Sequence, residues 1–175
     1  GYDCMAIARI RPIEKVLVVN ADPVRAERFA QRLAAHGLTV ERTSAQDACA
    51  RADIIVTATP AKTPLFDADW IRPGTHISCM GADGIGKQEL PTELYGRAQL
   101  FCDLAAQSVV IGEFQHAAAL IQAGTVSLTQ IGSVLSGQAP GRQDALAITI
   151  FDSSGIALQD LYIAERLLRA CPLSG

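Results

Sequence analysis

The segment Ser78–Leu90, SCMGADGIGKQEL, ends an apolar run at Gly81 and then places Asp83, two further glycines and Lys87 in one short loop. A carboxylate held in a flexible, glycine-rich turn can carry a proton to or from a reacting centre, which makes the segment a candidate catalytic loop. The competing reading is a solvated turn in which Lys87 opens a helix beside Gln88 and Glu89. Ser153 in FDSSG offers a second polar group, and Ser153 or Ser154 also suits the N-cap of a following helix. His36, His76 and His116 share no metal-ligand spacing with one another or with a cysteine, so no metal is expected. No G-x-S-x-G elbow supports a serine hydrolase.

These residues must be positioned by the elements around them, and the pattern alternates strand and helix. Lys15–Ala21 (KVLVVNA) is a β-branched run that reads as a buried strand. A helix follows, with Asp22 as N-cap, Pro23 at its first position, Val24, Phe29 and Leu33 on one face, and Gly37 as its stop. LTVERT is a second strand. SAQDACARA is a short helix capped by Ser44. DIIVTATP, THISCMG and AQLFCD are three further strands. Apolar strands separated by helices define an α/β fold with a parallel sheet covered on both faces. Ligands of such sheets lie outside the carboxyl ends of the strands, here Asn20–Asp22, Thr57–Thr59, Gly81–Asp83 and Asp103. Beyond these, residues 108–124 read as one helix and 127–142 as a short helix and a Gly/Pro turn. ALAITIFDSSG is a strand. The last helix is amphipathic, its stripe formed by Leu158, Leu161, Ile163, Leu167 and Leu168.

The 175 residues suffice for one domain with a sizeable core. With aromatics at 5%, Ala, Val, Ile and Leu must build that core. The net charge of −3 argues against a nucleic-acid partner, and no apolar run is long enough for a membrane span. Five widely spaced cysteines without a C-x-x-C pair are expected to be reduced, in a cytoplasmic setting. A dinucleotide-binding unit opens with a strand and G-x-G-x-x-G. No such motif precedes Lys15. Instead GYDCMAIARIRPI resembles the helix that follows such a loop, with Ala6, Ile7 and Ile10 expected on its buried face.

Three blocks in order resemble the ornithine cyclodeaminase/mu-crystallin family: RPIEKVLVVNADPVRAERFA, ADIIVTATPAKTPLFDADWIRPGTHISCMGADGIGKQEL and VLSGQAPGRQDALAITIFDSSGIALQDL. The resemblance runs from Ala6 to Arg169. It implies a Rossmann-like parallel sheet flanked by helices and with C-terminal helices, its first strand and phosphate loop absent from this chain. It implies an incomplete dinucleotide-binding domain over residues 1–150. Residues 151–175 would form a C-terminal helix that packs back toward a dimerisation domain.

The resemblance makes Asp83 the expected general acid/base and puts Lys87 near the nicotinamide carboxamide. Imine formation, hydration and reduction each need a proton moved at one carbon–nitrogen centre, and a carboxylate can supply it. Gly81 and its neighbours would let backbone approach a flat cofactor ring. Ser153 matches a cofactor-contacting serine, and Thr57, Ala58 and Thr59 match a segment lying along the dinucleotide. Asn20, Ala21 and Asp22 end the strand, and NADP-using relatives carry an arginine where Ala21 stands. With no arginine there, and with Asp22 able to repel a 2′-phosphate, NAD is favoured over NADP. Asp160 reads as an exposed helix carboxylate.

Two functions follow from these readings. The first is the nicotinamide-binding portion of an imine reductase, amino-acid dehydrogenase or cyclodeaminase acting on a small α-amino acid or its imine. An N-terminal polypeptide or domain and homo-oligomerisation would complete it. The loop GADGIGKQEL resembles the cyclodeaminase and alanine-dehydrogenase branches more than mu-crystallin. The second is a non-catalytic nucleotide-binding or assembly module, because a missing phosphate loop weakens dinucleotide binding. Either way, the sheet edge left by the absent strand is expected to be covered by a partner chain or by the N-terminal segment.

Overall fold

The computed structural model describes residues 2–170. Helix α1 (Tyr2–Ile10) leads into strand β1 (Val16–Val18), α2 (Pro23–Ala34), β2 (Val40–Arg42), α3 (Ala45–Arg51) and β3 (Ile54–Thr57). Then come β4 (His76–Cys79), β5 (Ala98–Cys102), α4 (Ala105–Ser108), α5 (Ala118–Gln122), β6 (Leu128–Gln130), α6 (Ile131–Leu135), β7 (Ile148–Asp152) and α7 (Ala157–Ala170). Every strand pair is parallel. The main sheet has the order β3-β4-β7-β5-β6, and β1-β2 form a separate ribbon. The fold is therefore the Rossmann-like parallel α/β arrangement expected from the alternating pattern.

The local signals act as their chemistry dictates. Asp22 caps α2, accepting from the amides of Val24 and Arg25, and Ser44 caps α3 through the amide of Asp47. Gly37 ends α2 with φ +80°, a conformation that side chains with a Cβ disfavour. The core lies between the main sheet and its flanking segments and includes Ile77, Leu90, Leu94, Leu100 and Ile150. Tyr95 and Phe114 meet edge to face, with ring centroids 6.0 Å apart. Cys49, Cys79 and Cys102 are buried and free; Cys171 lies outside the described residues.

Several expectations are corrected. On α2 the buried positions are Ala26 and Leu33, whereas Val24 is exposed: it lies in the first turn, on a different side of the helix. Ala6 and Ile10 of α1 are exposed and only Ile7 is half-buried. Residues 108–124 hold the end of α4, a 3₁₀ turn (Glu113–His116) and α5 in place of one helix, and the chain between them passes through Gly112, where a Cβ would clash with Ser108 and Asp152. Residues 128–130 are a strand, too short to show a period of two. The apolar side chains of α7 from Leu161 to Leu168 face solvent. The N-terminal segment is a helix and pairs with no strand, so it does not extend the sheet edge; among the described residues β1 pairs only with β2, and β3 only with β4.

Candidate functional site

The carboxyl ends of β3, β4, β5 and β7 meet at one rim of the main sheet, and the loop Gly81–Glu89 leaves β4 there. Asp83 is exposed in this loop, and the Lys87 ammonium forms an ion pair with its Oδ1. Lys87 also donates to the Gly81 carbonyl at 3.4 Å and is half-buried, so it neither starts a helix nor stands free in solvent. Hydrogen bonding by Lys87, reinforced by its positive charge, holds the Asp83 carboxyl below its ordinary value. Asp83 is thus ionised at neutral pH.

Two buried glutamates anchor the loop. Glu89 is fully buried and accepts from Thr57 Oγ1 (2.7 Å), Thr59 N (2.6 Å), Thr59 Oγ1 (2.8 Å) and Gly81 N (3.0 Å). Its carboxylate ties the end of β3 to the end of β4. A Cβ on Gly81 would lie 2.5 Å from Glu89 Oε1, so this glycine is demanded by the approach of Thr59 and Glu89. Glu113, also fully buried, accepts from Glu89 N (2.9 Å), Leu90 N (2.8 Å) and Tyr95 OH (2.9 Å). Burial pushes the Glu113 carboxyl up, against the lowering effect of those donors.

On the other side of the rim, Asp103 gathers the FDSSG loop. It accepts from Ser154 Oγ (3.1 Å) and Gly155 N (3.0 Å), with Ser153 Oγ at 3.5 Å. Helix α7 begins at Ala157, so these serines orient the loop through Asp103 and lie ahead of the helix cap. Asp152, at the end of β7, takes the Ser108 hydroxyl on Oδ2, while its buried Oδ1 has no protein partner. Burial raises Asp152 to about 6.

At the end of β1, Asn20 is exposed and its Oδ1 accepts from Asp22 N at 2.8 Å. Asp22 is committed to its cap and to Arg25, whose Nε lies 3.3 Å from Oδ2. Both contacts are those of the helix cap expected from the Asp22–Pro23 pair. Ala58 is exposed between Thr57 and Thr59, whose side chains serve Glu89. Among the described residues, no group of three His, Cys, Asp or Glu side chains is placed to hold a metal, and no helix is long and apolar enough to cross a membrane.

The structure thus brings Thr57, Thr59, Gly81, Asp83 and Lys87 together at the β3–β4 rim. Asn20 and Asp22 stand on the separate β1–β2 ribbon, and Ser153 beside Asp103. Sequence reasoning missed Glu89 and Glu113, and it placed Asp103 only as a strand end, without its hold on the FDSSG loop. The one available signal was an acid inside an otherwise apolar stretch, Glu113 in VVIGEFQHAAAL.

The architecture is a Rossmann-like parallel α/β sheet with an Asp–Lys ion pair in the loop that leaves β4. The chain belongs to the ornithine cyclodeaminase/mu-crystallin family, whose model matches residues 2–169. It is 40% identical to an iminosuccinate reductase of Paracoccus denitrificans over all of this chain and 54% of that protein. It is 35% identical to an alanine dehydrogenase of Archaeoglobus fulgidus over 94% of this chain and 51% of that protein. A crystal structure of the Paracoccus denitrificans iminosuccinate reductase in complex with NAD+ superimposes with a TM-score of 0.88, covering 96% of this chain and 52% of that one, at 40% identity. An archaeal alanine dehydrogenase dimer with bound NAD gives 0.87, covering 94% and 51%, at 34% identity. The chain spans about half the length of the relatives it matches.

Proposed function

We propose that this chain is the nicotinamide-binding portion of an NAD-dependent imine reductase, amino-acid dehydrogenase or cyclodeaminase. Its substrate is a small α-amino acid or the corresponding imine. The observation that carries the reading is the Asp83–Lys87 ion pair at the carboxyl end of β4, in a loop anchored by buried Glu89. The likeness to NAD-bound iminosuccinate reductase and alanine dehydrogenase supports it. The donor set at the end of β1 fits NAD: Asn20 is neutral, Asp22 is negative, and Arg25, the nearby cation, is paired with Asp22. A 2′-phosphate would meet no free cation from these three residues. Thr57, Ala58, Thr59, Gly81 and Ser153 line the remaining strand ends along the dinucleotide.

When bound, NAD supplies the hydride exchange. Asp83, ionised beside Lys87, takes the proton released when an amine becomes an imine and returns it in the opposite direction. Lys87 holds that carboxylate charged and oriented. Residues 1–150 act as the cofactor domain. The C-terminal helix, with its exposed apolar side chains, packs toward a substrate-binding and dimerisation part in a homo-oligomer.

Calorimetry with NADH and NADPH tests the reading, alongside turnover of imine and amino-acid substrates. Saturable binding that prefers NADH, turned toward NADPH by Asp22→Arg, is expected. Asp83→Asn is expected to lower turnover at least about 100-fold while changing the NADH dissociation constant little. No NADH binding at millimolar concentration, even with the phosphate-loop portion supplied, would reject the cofactor assignment. The alternative is a non-catalytic assembly module, for which the apolar surface of α7 would serve equally as the contact. Oligomers that form while NADH binding and turnover are absent would support it.

A further inference from the structure

Between Gly81, held by Glu89, and Gln88, whose amide donates to the Ala61 carbonyl at 3.0 Å, the loop projects with Ile85 81% exposed at its tip. Ala82 is fully buried, but from Asp83 to Gly86 hydrophobic burial does little to fix the loop. Polar contacts from the 3₁₀ turn Glu113–His116 take that role. The Gln115 amide oxygen accepts from Gly86 N at 2.8 Å. Its Nε2 donates to the carbonyls of Gly112 (2.9 Å), Gly84 (3.2 Å) and Lys87 (3.3 Å), three acceptors sharing two hydrogens. His116 Nε2 lies 2.8 Å from the Lys87 carbonyl, and since a carbonyl only accepts, this nitrogen carries the hydrogen. One side chain thus grips both limbs of the turn that separates Asp83 from Lys87. Its own Gly112 contact fastens it to the turn beneath.

We propose that Gln115 is a positioning residue for Asp83. By clamping Gly84, Gly86 and Lys87, it fixes the backbone on which the Asp83–Lys87 pair is built, with His116 as a second hold on Lys87. The proposal rests on the proton-transfer role assigned to Asp83. Gln115 touches neither substrate nor cofactor in this scheme. Its effect passes through the geometry of the loop, where misplacement by about 1 Å is enough to cost on the order of 100-fold in rate.

The experiment compares Gln115→Ala, Gln115→Glu, His116→Ala and Asp83→Asn in the protein as isolated. One readout is hydrogen exchange at the Gly86 amide; the other is kcat and KM from pH 5 to 10 in an NADH-coupled assay. Gln115→Ala is expected to speed Gly86 exchange at least about tenfold and lower kcat about 10- to 100-fold, with KM for NADH within about twofold. The acidic limb of its pH profile should move to higher pH, as Asp83 loses a fixed Lys87. Gln115→Glu, which places an acceptor against three carbonyls, should do no better. If Gln115→Ala does not fold, His116→Ala should give the same changes in smaller measure. Unchanged Gly86 exchange overturns the clamp. Faster exchange with kcat and pH profile intact overturns the positioning role. Asp83→Asn with full turnover overturns the premise instead, and is distinguished because Gly86 exchange still responds to Gln115→Ala.

Discussion

Lys87 sets the chemistry of Asp83, and the direction is testable. The ammonium lowers the carboxyl's pKa by favouring its charged form. Replacing it by an isosteric apolar side chain, Lys87→Met, removes that preference and raises the Asp83 pKa. The acidic limb of the turnover profile should then shift to higher pH, visible as lost activity near pH 5 with the neutral plateau less affected. An unmoved limb would mean that Asp83 does not carry the titration that governs turnover. Asp83 and Lys87 were legible in the sequence because a lone acid and a lysine in a glycine-rich loop attract notice by themselves. Glu89 and Glu113 were not. An ionisable residue is by default a surface residue, and their burial depends on amides and hydroxyls contributed from up to 32 positions away. Gln115 gave no signal either, since an amide's role is set by which carbonyls the fold brings to it.

At the level of elements, Gly81 is the joint where β3, β4 and the loop converge. A methyl group there would be forced against Glu89 and Thr59, so Gly81→Ala should destabilise the fold by about 1–3 kcal/mol, the cost of overpacking. Urea unfolding measures this, and a loss below about 0.5 kcal/mol would show that the strand ends part without strain. The strands β1 to β5 and β7 and the caps of α2 and α3 were legible, because β-branched and apolar runs and the Asp22–Pro23 pair are local signals. Strand β6 was not: three residues, LTQ, carry no periodicity, and their partner is Leu100–Cys102 of β5. The break before Gly112 was also hidden, since the close packing that demands glycine there comes in part from the distant Asp152.

At the level of the whole molecule, the central strand carries a buried carboxyl that favours its protonated form. Asp152 has a folded-state value raised to about 6 by burial, above its ordinary 3.8. The folded protein therefore binds more protons than the unfolded chain between about pH 4 and 6, and stability falls as pH rises through that window. Glu113, raised in the same direction, adds to the slope. Asp152→Asn keeps an oxygen for the Ser108 hydroxyl and removes the charge. It should raise stability at pH 8 by on the order of 2 kcal/mol and flatten the dependence between pH 4 and 6. Thermal unfolding across pH checks this; an unchanged slope would assign the effect to Glu113 or to neither.

Strand β7 pairs with β4 on one side and β5 on the other, and those two strands share no hydrogen bonds of their own. During synthesis, β3–β4 and β5–β6 emerge first, as two parallel ribbons. Each keeps an open inner edge until Ile148–Asp152 clears the ribosome and slides between them. For the time it takes to make the residues between Gln130 and Ile148, the nascent protein is a pair of unfinished sheets with edges able to bind another chain. A ribosome stalled before β7 should therefore hold a protease-sensitive, chaperone-bound product, while one stalled well after it releases a sheet already closed.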